Sequence, residues 1–278
     1  KGAAFTAKRK AARKMMLNVA SHLLGQQFAD DTIIVSTGGR YEFRNKGIDI
    51  LLESLKRLAD EPSLDRDVLA FINVPAWVKG PRKDLQERLE SPLHSVTALE
   101  TPVITHELYN MDDDKALSMM RAIGLNNDPS SRVKVIFVPC YLNGNDGIFN
   151  MPYYDLLTAN DLCLYPSYYE PWGYTPLESC AFKAPCITTD LSGFGQWVND
   201  VLGYQGELSD GVKVIHRDDD NYFDVSREMC EAIEAMMRMP LKDRATLCKK
   251  AAALADKAQW KNFIKHYFEA YDFALRNK

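Results

Sequence analysis

No two of the six cysteines (Cys140, Cys163, Cys180, Cys186, Cys230, Cys248) form a CxxC pair, and the five histidines are scattered. Zinc-type ligand spacing is therefore missing. The thiols read instead as buried and free in a reducing, cytoplasmic setting. No apolar run reaches the roughly eighteen residues that a transmembrane helix needs, so no membrane-spanning helix is expected. Charge of one sign is also lacking: 34 basic residues face 38 acidic ones, for a net −4. That balance gives no general attraction to nucleic acid or to an anionic membrane. Internal repeats and low-complexity segments are absent. No metal-diphosphate motif is read from the chain either, so no metal and no cofactor are expected.

One further shortage is local. No acidic residue precedes Asp30, whereas Lys1, Lys8, Arg9, Lys10, Arg13 and Lys14 do. A basic arm or a transit peptide would look like this. The persistent apolar stripe of Met15, Met16, Val19, Leu23 and Leu24 favours a helix from about Ala7 to Leu24, its cations forming the solvated face.

What the chain does have is a βαβ rhythm. Short apolar, β-branched runs lie at Thr32–Thr37, Val68–Val74, Val133–Pro139, Asp161–Pro166, Pro185–Asp190 and Val212–Ile215. Near-continuous runs of this kind suit strands buried on both faces. Amphipathic segments alternate with them at about Gly47–Leu58, Pro81–Leu89, Asp112–Ile123, Tyr153–Ala159, Thr175–Phe182 and Phe194–Val201. The pattern predicts an α/β fold with a doubly wound parallel sheet, Rossmann-like. From about residue 223 to 278 it gives way to three successive helices, Phe223–Met239, Leu241–Asp256 and Gln259–Arg276. Residues 1–278 read as a single domain with a helical tail, and nothing marks a second sheet domain.

Sites in open parallel sheets form at the carboxyl ends of strands, and each candidate motif falls just after one. Ser36-Thr-Gly-Gly-Arg-Tyr-Glu-Phe-Arg-Asn-Lys-Gly47 follows the first strand. Gly38 and Gly39 let the backbone turn and approach a ligand, and Arg40 and Lys46 are cations suited to a diphosphate leaving group. The plain alternative is a loop of solvated cations. Ser167-Tyr-Tyr-Glu-Pro-Trp-Gly-Tyr-Thr-Pro-Leu-Glu178 places Glu170 and Glu178 either side of a glycine turn that opens a helix. A strand, a glycine turn and a helix start aim free N–H groups at an anion, and the carboxylates can accept from sugar hydroxyls. Paired carboxylates also suit glycoside hydrolysis, or simply a loop and a helix surface. In Thr188-Thr-Asp-Leu-Ser-Gly-Phe-Gly195, Ser192 serves equally well as a helix cap or as a ligand. His106 follows a short apolar run and is more readily structural than catalytic. Of the many tyrosines in this half, most read as packing, with one or two free to stack on a base.

Arg40-Tyr-Glu-Phe-x-Asn-Lys-Gly47, Tyr168-Tyr-Glu-Pro-Trp-Gly-Tyr-Thr-Pro176, Thr188-Thr-x-Leu-Ser-Gly-Phe-Gly195 and Arg132-Val-Lys-Val-Ile-Phe-x-Pro139 resemble the eukaryotic-type glycogen synthase family. The likeness is strong from about residue 36 to 200 and loose in the tail. It implies a retaining glycosyltransferase of the two-domain GT-B type, which passes glucose from UDP-glucose to the 4-hydroxyl of an α-1,4-glucan without a metal. By the same resemblance Arg40 and Lys46 grip and stabilise the diphosphate, and Glu170 contacts the transferred glucose. Gly173, Tyr174 and Thr175 present donors to the distal phosphate, and Glu178 accepts from the ribose. Tyr141 and Tyr153 lie near the base, and Trp172 belongs to the same donor-binding segment. The nucleotide is UDP or ADP, since both bases stack on tyrosine. The sequence leaves oligomeric state open, a homo-oligomer included.

Several features depart from the family. Only residues 1–35 precede the arginine loop, so the chain is expected to be the donor-binding half, with the N-terminal GT-B domain absent and the glucan acceptor reached through it. Pro75–Pro102 is short where eukaryotic members carry a helical insertion. Arg238, Lys242, Arg244, Lys249 and Lys250 are sparser than the arginine cluster that senses glucose 6-phosphate, so no such activation is expected. With Asp161 and Cys140, these departures point to a bacterial relative. Two other readings stay open: a retaining GT-B enzyme with a different sugar acceptor, and a non-catalytic nucleotide- or glycan-binding module.

Overall fold

A computed structural model describes residues 2–91 and 97–277. Lys1 and part of Pro75–Pro102 lie outside the described residues. All six expected strands form one parallel sheet: β1 (Ile33–Gly38), β2 (Val68–Asn73), β5 (Val133–Val138), β6 (Leu162–Leu164), β7 (Cys186–Thr189) and β8 (Val212–Ile215). The order is β5-β2-β1-β6-β7-β8. The chain winds outward from β1 through β2 to β5, returns to the other side of β1 with β6, and winds outward again. The switch point therefore lies between β1 and β6, where a ligand crevice opens in such sheets.

Side chains alternate across the sheet, as a period of two requires. Ile33, Val35, Val68, Ala70, Ile72, Val133 and Val135 meet one face. There they pack under α2 (Ile48–Ala59), α4 (Lys115–Ile123) and α8 (Tyr222–Arg238). Ile34, Leu69, Phe71 and Ile136 meet the other face. Its cover is α1 (Gly2–Leu24), α3 (Lys83–Leu89) and α5 (Tyr153–Leu157). Beyond β6, α6 (Tyr174–Ala181), α7 (Gly193–Leu202) and α9 (Leu241–Lys257) continue that layer. Two of the tail helices thus complete the sheet's layers. The third, α10 (Trp260–Arg276), has no buried residue and touches the domain through Phe263, whose ring meets Trp172 and Trp197.

Three details correct the sequence reading. A small antiparallel pair, β3 (Val78–Pro81) with β4 (His106–Leu108), was not expected. Both strands are short and carry no alternating pattern. The cations of α1 are not all solvated. Arg9 and Arg13 bond the two oxygens of Asp161 at 2.7 and 2.9 Å, and Asp161 also accepts from the Ile34 N–H at 2.9 Å. Guanidinium forks can lie along an apolar helix face and still reach a carboxylate, so this network fastens α1 to β1 and β6. Finally, Asp218-Asp-Asp220 follows β8 closely, as a metal-diphosphate motif would. Asp218 there accepts from the N–H groups of Asp220 and Asn221. The tail cations are likewise engaged locally: Arg244 donates to the carbonyls of Met237 and Met239 at the end of α8, and Lys250 to that of Ser209.

Candidate functional site

The loops after β1 and β6 meet at the switch point. Gly47, at φ 67°, closes the arginine loop and starts α2. Its α-carbon faces the carbonyl of Pro166 so closely that an added Cβ would stand 1.9 Å from that oxygen. The Tyr168 N–H donates to the Asn45 carbonyl at 2.8 Å, tying the two loops together. Across this seam Lys46 forms an ion pair with Glu170; their side chains keep 16% and 20% of their exposure. Two residues assigned separately by sequence are thus in direct contact. Arg40 is different: its side chain is 77% exposed and its guanidinium pairs with Glu42 at 3.1 Å. A surface pair of that kind holds it weakly, so it is free to turn toward an incoming anion.

The third motif supports the second. Ser192 caps α7 by accepting from the Gly195 N–H at 3.0 Å, so its capping role is the one observed. The start of α7 then holds the Glu170 loop. Gly193 N–H donates to the Glu170 carbonyl at 3.0 Å and Phe194 N–H to the Trp172 carbonyl at 2.6 Å. A Cβ at Gly193 would lie 2.3 Å from the Pro171 carbonyl oxygen, so only glycine permits this approach. The loop ends at Gly173, φ 110°, which begins α6 with no side-chain cap. The third residue of α6, Pro176, has no N–H, so the first-turn donors are those of Tyr174 and Thr175.

Beside Thr175 lies a cavity of about 520 Å³, within the size range of small-ligand sites. Arg40, Tyr141, Tyr153 and Thr175, all named from sequence, line it together with Gly39, Tyr41, Asn73, Pro75, Cys140, Leu142 and Asn143. Lys46, Glu170, Gly173, Tyr174 and Glu178 are outside that lining, on the adjoining seam and helix. Trp172 turns away, packed against Phe194, Trp197 and Phe263 with ring centroids 5.6–6.1 Å apart. It anchors the loop by packing. Tyr41 and Asn73 are lining residues the sequence reading missed. Asn73 was legible as the polar end of an apolar strand. Tyr41 donates to Asp114 at 2.8 Å and accepts from the Ala116 N–H at 2.9 Å, which pins the arginine loop to α4. No local pattern announces that contact.

At the cavity's rim, His106, Cys140 and Asp146 bring potential metal-ligand atoms within 4.8 Å of one another. Two of the three already have bonding partners. His106 bonds the Thr105 hydroxyl at 2.8 Å and the Asp146 carbonyl at 3.0 Å. Asp146 accepts from the N–H groups of Ile148, Phe149 and Asn150. Burial pushes the Cys140 thiol up to about 12. Cys140 contributes to the cavity lining, and the two hydrogen bonds of His106 suit a structural part.

Burial also holds the His106 imidazole below its ordinary value. An unfolded chain takes up the proton near pH 6.5, and the folded one only at lower pH. The stability His106 contributes is thus full above about pH 6.5 and declines as pH falls toward the folded value. Melting temperatures at pH 7.5 and 5.5 test this: the drop on acidification should be smaller for His106→Gln than for the unsubstituted chain. Equal drops would remove His106 from the acid sensitivity.

All six cysteines are free thiols, five of them buried. No helix among the described residues is long and apolar enough to cross a membrane.

The family model described as glycogen synthase matches residues 89–278. The chain is 28% identical to glycogen [starch] synthase isoform 1 of Saccharomyces cerevisiae, over 89% of its own length and 43% of that protein's. Against the Neurospora crassa enzyme the figures are 29%, 89% and 42%. Against the human liver enzyme they are 27%, 92% and 44%. The chain thus spans less than half the length of these curated relatives. Among solved structures, WaaG, a glycosyltransferase involved in lipopolysaccharide biosynthesis, aligns at TM-score 0.48 and 16% identity, covering 82% of this chain and 44% of that one. HepE of Anabaena, in complex with UDP and glucose, aligns at TM-score 0.46 and 16% identity, covering 88% and 49%. The assignment of family rests on the sequence match and not on these two likenesses.

Proposed function

Because this chain belongs to the glycogen synthase family, we propose that it is the donor-binding part of a GT-B glucosyltransferase. The reaction passes glucose from UDP-glucose to the 4-hydroxyl of a growing α-1,4-glucan with retention, the acceptor being read through a further domain. One observation carries the reading. The Lys46–Glu170 pair and the uncapped start of α6 stand together at the β1/β6 switch point, beside a tyrosine-lined cavity.

In this reading the base lies against Tyr141 and Tyr153, and the ribose reaches Glu178 on α6. The distal phosphate receives the N–H groups of Tyr174 and Thr175. The transition state joins an oxocarbenium-like sugar to a departing diphosphate. Arg40 and Lys46 stabilise the diphosphate end, while Glu170 takes hydroxyls of the glucose. Donor entry therefore divides the Lys46–Glu170 pair: the lysine turns to phosphate and the carboxylate to sugar. The helix dipole adds only about 0.3–1 kcal/mol, so the two cations supply most of the charge stabilisation.

Calorimetric titration of the chain with UDP and then ADP, in the presence of a chelator, tests the reading. Tighter binding of UDP is the expected result. A preference for ADP would keep the site and change the donor to ADP-glucose. Binding of neither would overturn the assignment of the nucleotide site to this part of the protein.

A further inference from the structure

Consecutive helical residues point about 100° apart, and α5 uses that divergence. Tyr153 lines the cavity, whereas Tyr154 reaches α6. The Tyr154 ring lies flat on Phe182, with centroids 5.2 Å apart and planes 8° from parallel. Its hydroxyl donates to Glu178 Oε1 at 3.0 Å. Phe182 stands one turn after Glu178 at the C-terminal cap of α6, and its N–H bonds the Glu178 carbonyl at 2.9 Å. The stack therefore fixes the phenol over the carboxylate from below. Glu178 in turn stands three residues after Thr175, on the helix face that borders the cavity. Burial raises the pKa of the Tyr153 phenol, and the Glu178 charge is near enough to add to that rise.

We propose that Tyr154 is a positioning residue that presents the Glu178 carboxylate to the ribose diol of the bound nucleotide. The inference rests on the nucleotide-sugar reading above and extends it. A carboxylate accepts at both oxygens. With Oε1 held by the phenol, Oε2 is oriented to accept from a ribose hydroxyl. A glutamate without that hydrogen bond samples several rotamers, and ligand binding must then order it. Because Tyr153 and Tyr154 are adjacent in one short helix, α5 sets base and ribose recognition together.

The test uses the unsubstituted chain, Tyr154→Phe, Glu178→Gln and the double variant, each titrated with UDP and with 2′,3′-dideoxy-UDP. Tyr154→Phe keeps the ring on Phe182 and removes only the hydroxyl; an unchanged melting temperature checks that the fold stands. Tyr154→Phe should weaken UDP about three- to tenfold and leave the dideoxy analogue within about twofold, so that the preference for the diol shrinks. In the Glu178→Gln background, losing the phenol hydroxyl should cost nothing further, because the two residues act as one unit. An unchanged preference for UDP in Tyr154→Phe, or the same loss in both backgrounds, would overturn the role of Tyr154 and leave the nucleotide reading standing. If the unsubstituted chain bound neither UDP nor ADP, the nucleotide reading itself would fail and this inference with it.

Discussion

Lys46→Ala is expected to cost about 2–4 kcal/mol of transition-state stabilisation in the proposed transfer, roughly a hundredfold in kcat/KM for the full-length protein. The magnitude follows from the position of the ammonium. Lys46 is largely buried at the loop seam and already neutralised by Glu170, so its charge is not dissipated in water. Donor binding exchanges one anionic partner for another. As negative charge accumulates on the diphosphate oxygen during departure, the attraction grows, which is the condition for lowering a barrier and not merely for binding. The loss should therefore fall mainly on kcat. Removing the lysine also leaves Glu170 without its partner, and the Lys46→Ala/Glu170→Ala double variant should lose less than the sum of the two single losses. A kinetic loss under about threefold for Lys46→Ala would exclude this lysine from the mechanism.

The second large effect is on stability. Gly47→Ala should lower stability by about 3–4 kcal/mol, seen as a fall in melting temperature on the order of 10 °C. Two costs add. A left-handed backbone at φ 67° costs an alanine roughly 1–2 kcal/mol. The new methyl group would also stand 1.9 Å from the carbonyl oxygen of Pro166, which accepts from the buried Arg217 and cannot yield freely. Relief would part the β1 and β6 loops and with them Lys46 and Glu170. UDP binding should weaken with stability. Gly39→Ala is the control: its φ is also positive, at 138°, but open space surrounds the position. It should cost clearly less, and equal destabilisation of the two variants would show that backbone strain, not loop contact, governs this seam.

These two glycines illustrate what one-dimensional reading reaches. Both sit in a loop marked by sequence as glycine-rich and ligand-facing, yet nothing local distinguishes the one that touches Pro166. The same holds for Trp172. The resemblance assigns it to the donor-binding segment, and the aromatic side chains it meets, Phe194, Trp197 and Phe263, come from other elements. Arg9 and Arg13 looked like a solvated face because Asp161, their partner, lies some 150 residues further along the chain. The β3–β4 pair escaped because its strands are too short to show a period.

By itself the sequence determined the alternation of strand and helix, the doubly wound parallel class and the placing of each motif after a strand. Those properties follow from local periodicity: buried parallel strands need continuous apolar runs, and the helices between them need one apolar face. Its long motifs also carried the family resemblance. Only the tertiary structure decided the order of strands, which makes the β1/β6 switch point and brings Lys46 onto Glu170. It likewise joined His106, Cys140 and Asp146 in one cluster and set Tyr154 on Glu178. Such contacts depend on which loops become neighbours when the sheet assembles, and strand order is set by packing across the whole domain, not by the residues adjacent in the chain.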